Sequence, residues 1–200
     1  MWNKRFADAG EAFVFGEAPN HFVEAEASAL PAGASVLSVA DGEGRNSVFL
    51  AGRGHPVHAV EFSPVAIAKA RGLAARRGVD VRFEEADLFA WDWPEAAYDV
   101  ALAVFIQFAT PAQRVTLFAR LAAAVRPGGL LLIHGYTPEQ VAYGTGGPPC
   151  AEHMYTEPLM RACFAGLEIL RLEAYEREID EGPGHRGRSA LIDFVARRPA

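Results

Sequence analysis

From residue 34 to about residue 135, short apolar runs alternate with helix-type segments. Residues 34–40 form the first strand candidate, ending in a glycine-bearing loop. Asn46 to Arg53 reads as a helix closed by Gly54. Residues 55–61 form a second strand, after which Ser63-Pro64 supplies an N-cap and a proline at the first helical position. The alanine-rich stretch to Arg77 continues that helix, and Gly78 stops it. Val79 to Glu84 is a third strand, and Tyr98 to Phe105 a fourth, the most continuously apolar. Thr110-Pro111 repeats the cap-plus-proline signal before a helix ending near Val125. Arg126-Pro127-Gly128-Gly129 reads as a tight turn into Leu130-Leu131-Leu132-Ile133. Fully apolar strands separated by amphipathic helices predict a mostly parallel sheet covered on both faces, a doubly wound, Rossmann-like α/β fold.

The last third changes character. Thr137 to Tyr155 is rich in Gly and Pro and reads as loop, and Thr156-Glu157-Pro158 starts one more helix. Leu167 to Ile179 and Arg188 to Arg197 are strand-like, joined by eight turn-type residues, 180–187. They predict an antiparallel hairpin at one sheet edge.

Composition narrows the class. Of 200 residues, half are hydrophobic and 22% charged, enough apolar material for a sizeable core. The length predicts a single domain, 1–200: an N-terminal segment to residue 33, a core over 34–135 and a C-terminal part over 136–200. No run is long and apolar enough for a membrane span, and residues 1–10 lack the apolar centre of a secretory signal. The two cysteines, Cys150 and Cys163, offer neither a disulfide framework nor a CxxC zinc spacing, so no metal is expected and a reduced cytoplasmic setting is the simplest reading. A net charge of −6 argues against a nucleic-acid-coating surface. Oligomeric state is not legible.

The candidate chemistry starts at the end of the first strand, Ser38-Val39-Ala40-Asp41-Gly42-Glu43-Gly44-Arg45-Asn46. Gly42 and Gly44 let the backbone approach a ligand, and the following helix N-terminus offers free N–H groups to an anion. A plain tight turn is the alternative. Glu61 ends the second strand, where a carboxylate can accept both hydroxyls of a ribose. Asp87, after the third strand, can accept an adenine amino proton. A dinucleotide site wants a third glycine where Ser47 stands, and the tyrosine–lysine pair of short-chain dehydrogenases is absent. A nicotinamide cofactor is therefore the weaker reading.

These features together resemble class I S-adenosylmethionine-dependent methyltransferases. Residues 36–44 resemble the family's glycine-rich first motif, Glu61 its second-motif acid, and Asp87-Leu88 its third. Tyr98-Asp99-Val100 resembles the opening of its fourth strand, and Arg126-Pro127-Gly128-Gly129 the turn before its fifth. The resemblance implies S-adenosylmethionine as cofactor. It assigns Gly42, Gly44 and Arg45 to the methionine end, Glu61 to the ribose, and Asp87 with Leu88 to the adenine, with Ala40, Asn46, Phe62 and Phe105 also among the cofactor-binding residues. Two positions depart from the pattern: Ser38 stands where the family has an aspartate, and Ala40 where it has its first glycine. Asp41 or Glu43 is then left to meet the methionine amino group, and a binding module without catalysis stays open.

A narrower resemblance is to the tellurite-resistance and thiopurine-type methyltransferases. It rests on Gly42-Glu43-Gly44-Arg45-Asn46 continuing to Leu50-Ala51, on Trp2-Asn3-Lys4-Arg5-Phe6, and on Phe15-Gly16-Glu17-Ala18-Pro19-Asn20. It implies an N-terminal lid over the cofactor and a small-molecule acceptor such as a thiol or a metalloid oxyanion. It also implies a His/Arg pair near the acceptor, here His185 and Arg188 as catalytic candidates.

Around them, Phe105 after the fourth strand could pack near the sulfonium or adenine, with ordinary packing as the alternative. His134 and Tyr136 could line an acceptor pocket or be structural. Residues 144–149, closed by His153 and Tyr155, could cover a site or form a plain connector. Cys150 has no obvious base beside it in the sequence. The run Phe89-Ala90-Trp91-Asp92-Trp93 is expected to pack beneath its loop rather than stack on bases.

Overall fold

The computed structural model describes residues 2–182 and 185–200. Among the described residues, 2–91 with 181–182 make one compact unit and 92–180 with 185–200 another. Pro183 and Gly184, within the expected hairpin turn, lie outside the described residues. One seven-stranded mixed α/β sheet has the order β3-β2-β1-β4-β5-β7-β6, numbered along the chain.

The first unit opens with α1 (Trp2–Asp8) and α2 (His21–Glu26). Then β1 (Val36–Val39), α3 (Arg45–Gly52), β2 (Val57–Glu61), α4 (Pro64–Arg77) and β3 (Arg82–Glu85) alternate. Every residue of β1 and β2 is buried, as an interior pair of parallel strands requires. The expected fully apolar third strand is corrected: β3 starts only at Arg82, reads Arg-Phe-Glu-Glu, and is exposed at both ends. It is an edge strand with one neighbour, β2, so it lacks the second partner that would demand apolar residues throughout. The signals around α4 act as read. The Ser63 hydroxyl accepts from Ala66 N–H at 3.2 Å, Pro64 takes the first turn, and Gly78 closes the helix at φ +66°. Gly44 caps α3 at φ +87°, and a Cβ there would lie 2.7 Å from the Ala70 Cβ. Glycine at this position is therefore a packing requirement between α3 and α4, besides any service to a ligand.

The second unit holds β4 (Tyr98–Val104), α5 (Pro111–Ala124), β5 (Val125–Tyr136), α6 (Gln140–Tyr143), a 3-10 turn (Ala151–His153), α7 (Glu157–Cys163), β6 (Glu168–Asp180) and β7 (Arg186–Arg197). The Thr110 cap forms a reciprocal capping box with Gln113. β5 begins at Val125, so the expected turn at 126–129 is drawn into the strand, and the pairing with β4 shifts register between Tyr98 and Val100. β7 runs antiparallel between β5 and β6. The pairing reaches Asp180 opposite Arg186, so the eight-residue connection expected at 180–187 shortens to 181–185. Thr137 to Tyr155 carries α6 and the 3-10 turn where only loop was expected. Among the described residues no helix is long and apolar enough to cross a membrane.

Candidate cofactor-binding and acceptor sites

In the first unit, chain reversal after β1 sets the geometry. Ala40 sits at φ +49°, in the left-handed region that glycine occupies at no steric cost. This is the position where the resemblance expects a glycine, so the backbone conformation is retained while the residue suited to it is not. Asp41 follows, and its carboxylate accepts from the Ser38 hydroxyl at 2.7 Å and the Ser47 hydroxyl at 2.5 Å. Ser38, which replaces the expected aspartate, thus holds a carboxylate supplied three residues later. Burial raises the Asp41 pKa from 3.8 to about 6; the Ser38 and Ser47 hydrogen bonds oppose that, and the Glu61 charge adds to it.

Glu61 is buried at the end of β2. One oxygen accepts from Gly42 N–H at 2.9 Å and the other from Ser63 N–H at 2.9 Å. Burial pushes its pKa up, against these backbone donors and that of Phe62. The carboxylate pins the glycine loop to the start of α4 and keeps further lone pairs for a ligand. Phe62 is 63% exposed, a large apolar side chain beside this carboxylate. Asp87 is exposed after β3 and accepts from Phe89 N–H at 2.9 Å, while Leu88 beside it is buried. Trp91 donates its indole N–H to Glu84 at 2.7 Å and sets its ring edge to His58, so the aromatic run packs as expected at this residue.

Two residues expected near the methionine end have side-chain partners within the chain. Glu43 is buried and accepts from Val14 N–H at 2.7 Å and from Lys69 at 2.9 Å, tying the N-terminal segment to α4. The Arg45 guanidinium turns to the Phe15 carbonyl at 3.2 Å and to Glu181 at 2.9 Å, so only its backbone remains for a ligand at the start of α3. Asn46 accepts from Asn20 N–H at 2.9 Å, and Asn20 donates its side-chain amide to both Glu181 oxygens. His21 adds its backbone N–H and Nδ1 to the same carboxylate. Burial pushes the Glu181 pKa up, but His21, the Arg45 charge and Asn20 outweigh it and hold the carboxyl well below its usual range. The Pro-Asn and Gly-Arg-Asn motifs are therefore two halves of one buried polar clamp. Glu181, its hub, is not singled out by the sequence.

In the second unit four rings gather. Phe105, at φ +55° after β4, lies 4.5 Å from Tyr136 in a stacked pair, 4.8 Å from His134 and 4.2 Å from His185, all between ring centroids. A bulky residue in the left-handed region is strained, and such strain clusters at functional sites. His134 is fully buried, with Nδ1 2.6 Å from Asp193, which also receives Arg171 at 3.0 Å and the Tyr175 hydroxyl at 3.2 Å. The Tyr136 backbone N–H and carbonyl are both bonded by the Gln107 amide, at 2.7 and 2.8 Å. Of the two catalytic candidates, His185 is buried in this cluster. Arg188 is exposed on β7; its guanidinium pairs with Glu176 and lies over the Tyr143 ring. Sequence reasoning missed Gln107, in the turn after β4, and Arg171 and Asp193, on β6 and β7, because a residue that turns its polar group inward looks in sequence like any solvent-facing position.

Residues 36–129 match the family model described as a methyltransferase domain. Two curated relatives align with much of the chain. "Hemagglutinin 1" of Eikenella corrodens is 32% identical over 79% of this chain and 52% of its own length. The demethylmenaquinone methyltransferase of Thermus thermophilus is 33% identical over 52% of this chain and 47% of its own. The chain thus spans about half the length of these relatives. Among solved structures, one described as converting a disulfide bond into a thioacetal group in echinomycin biosynthesis superposes with a TM-score of 0.81, at 20% identity, over 99% of this chain and 91% of that one. TehB from Haemophilus influenzae superposes with a TM-score of 0.74, at 19% identity, over 99% of this chain and 67% of that one. At these identities the structures establish the Rossmann-like methyltransferase fold.

Proposed function

We propose that this chain transfers the methyl group of S-adenosylmethionine to a small soft nucleophile such as a thiol or a metalloid oxyanion. The observation that carries the reading is the pair of carboxylates at the ends of β1 and β2, half-buried Asp41 and buried Glu61. Glu61 is anchored to the Gly42 N–H of the loop between β1 and α3. The methyltransferase match over residues 36–129 supports it. When bound, the cofactor supplies a sulfonium whose methyl group is open to in-line displacement.

Each residue has a task in this reading. Asp41, steadied by Ser38 and Ser47, takes the methionine ammonium in place of the missing aspartate. Glu61 takes the ribose hydroxyls through the lone pairs its backbone donors leave. Phe62 offers an apolar face to the adenine, with Asp87 and Leu88 beyond it. The backbone at Arg45 and Asn46 brings N–H groups to the methionine carboxylate, and Gly42 and Gly44 let the loop pass close to it. Phe105, His185 and Arg188 are the acceptor-side candidates. A soft acceptor is already nucleophilic near neutral pH, so orientation and exclusion of water do most of the catalytic work.

The reading also places the tellurite- and thiopurine-type group as the nearer kinship; the buried clamp joining the Gly-Arg-Asn and Pro-Asn motifs supports it. The test incubates the chain with methyl-labelled S-adenosylmethionine and a panel of thiols, selenols and metalloid oxyanions. Label in an acceptor, together with demethylated cofactor that accumulates only when acceptor is present, is expected. Cofactor binding with no transfer to any acceptor would favour a binding module.

A further inference from the structure

Cys150, Glu152 and His153 come together at the 3-10 turn, their ligand atoms all within 4.8 Å of one another. The sequence showed no partner for Cys150, because Cys-x-Glu-His is not a spacing that an α-helix or a strand would focus. The turn changes this, since it folds the chain back on Cys150 and brings the three side chains together. The turn is closed by His153 N–H to the Cys150 carbonyl at 3.1 Å and Met154 N–H to the Ala151 carbonyl at 3.0 Å. Arg114 fixes it from α5, donating to the Glu152 carbonyl at 3.0 Å.

His153 carries a second, independent mark. Its Nδ1 lies 3.2 Å from the Gln107 backbone carbonyl. A carbonyl only accepts, so Nδ1 bears the proton and Nε2 presents its lone pair. Metal-bound histidines are oriented in this way, with the far ring nitrogen donating to a carbonyl or carboxylate.

We propose that Cys150, Glu152 and His153 bind one zinc-class divalent cation, with a fourth position open to water or an exogenous ligand. A thiolate, an imidazole and a carboxylate suit zinc and disfavour the hard cations magnesium and calcium. Tetrahedral zinc places sulfur and nitrogen ligands about 3.5 Å apart, so small side-chain rotations close the set from its present spacing. Cys150 loses its proton on binding, and His153 binds neutral. Through Gln107, which holds both the His153 ring and the Tyr136 backbone, the ion would brace the 144–155 segment beside Tyr136.

The test uses the untagged full chain, metal-free, titrated with Co2+. One equivalent is expected to give a thiolate-to-cobalt charge-transfer band and the visible bands of a four-coordinate site, both erased by Zn2+ and untouched by Mg2+ or Ca2+. Cys150→Ser should abolish the charge-transfer band, and His153→Ala should weaken binding at least ~10-fold, the lower end of what loss of a mere supporting contact does. Cys163→Ser should keep the band, and unchanged melting of all three metal-free variants shows that they fold. No charge-transfer band in the native chain, or a band that survives Cys150→Ser, would overturn the site.

Discussion

Replacing Asp41 by Asn removes a charge while leaving an amide that can still bond Ser38 and Ser47. The Asp41 pKa of about 6, against an ordinary 3.8, means that folding binds its proton more tightly than the unfolded chain does. The stability tied to that proton is fully present below pH 3.8 and is lost as pH rises through about 6. A shift of this size corresponds to about 3 kcal/mol by pH 7. The assay is urea unfolding of native and Asp41→Asn protein at intervals from pH 4 to pH 7. Over that range the stability difference between the two should change by about 2.4 kcal/mol in favour of Asn as pH rises. Binding should show the other half of the linkage. An ammonium beside Asp41 favours the ionised form, so S-adenosylmethionine affinity should fall roughly tenfold from pH 7 to pH 5 in the native protein. Asp41→Asn should bind weakly and without that dependence. Parallel stability profiles would refute the buried-carboxylate argument, and an affinity indifferent to pH would refute the ammonium assignment.

Ala40→Gly relieves a left-handed conformation worth about 1–2 kcal/mol but adds unfolded-state entropy, for a net gain of about 0.5–1 kcal/mol readable as a higher urea midpoint. Gly44→Ala meets the Ala70 Cβ at 2.7 Å and should destabilise by about 1–3 kcal/mol in the same assay. Glu181→Ala leaves the Arg45 charge buried without its partner and should lower stability by about 3 kcal/mol, with residues 13–22 becoming susceptible to limited proteolysis. Because the native Glu181 pKa is depressed, its contribution is present above its ordinary value of 4.5 and is lost as acid protonates it, so the variant's deficit should shrink at low pH.

The elements that repeat a simple physical rule were legible. β1, β2 and β4 announce themselves as apolar runs, and Ser63-Pro64, Thr110-Pro111 and Gly78 mark helix ends by local chemistry alone. β3 was misread because an edge strand needs few apolar residues, and β5 because pairing with β4 draws Pro127-Gly128-Gly129 into the strand. At the site, Glu61 at the end of β2 was readable from its place after the glycine loop, whereas Asp41 and Glu43 were left as alternatives. What Arg45 and Glu43 bind was not, because their partners, Glu181 and the Val14 backbone, lie 136 and 29 positions away. Long-range polar pairing leaves no periodic trace in a single sequence. Cys150 and His153 show the same limit at short range, since only the 3-10 turn aligns them.

The central claim, a pocket built for S-adenosylmethionine, is tested most directly by a thermal melt with 1 mM of that cofactor, its demethylated product or NAD. With a dissociation constant of about 10 μM the first two should stabilise by roughly 2.7 kcal/mol, a rise of about 5–11 °C for a chain of this size. Glu61→Ala should abolish most of that rise. A shift with NAD alone, or with none of the three, would contradict the account.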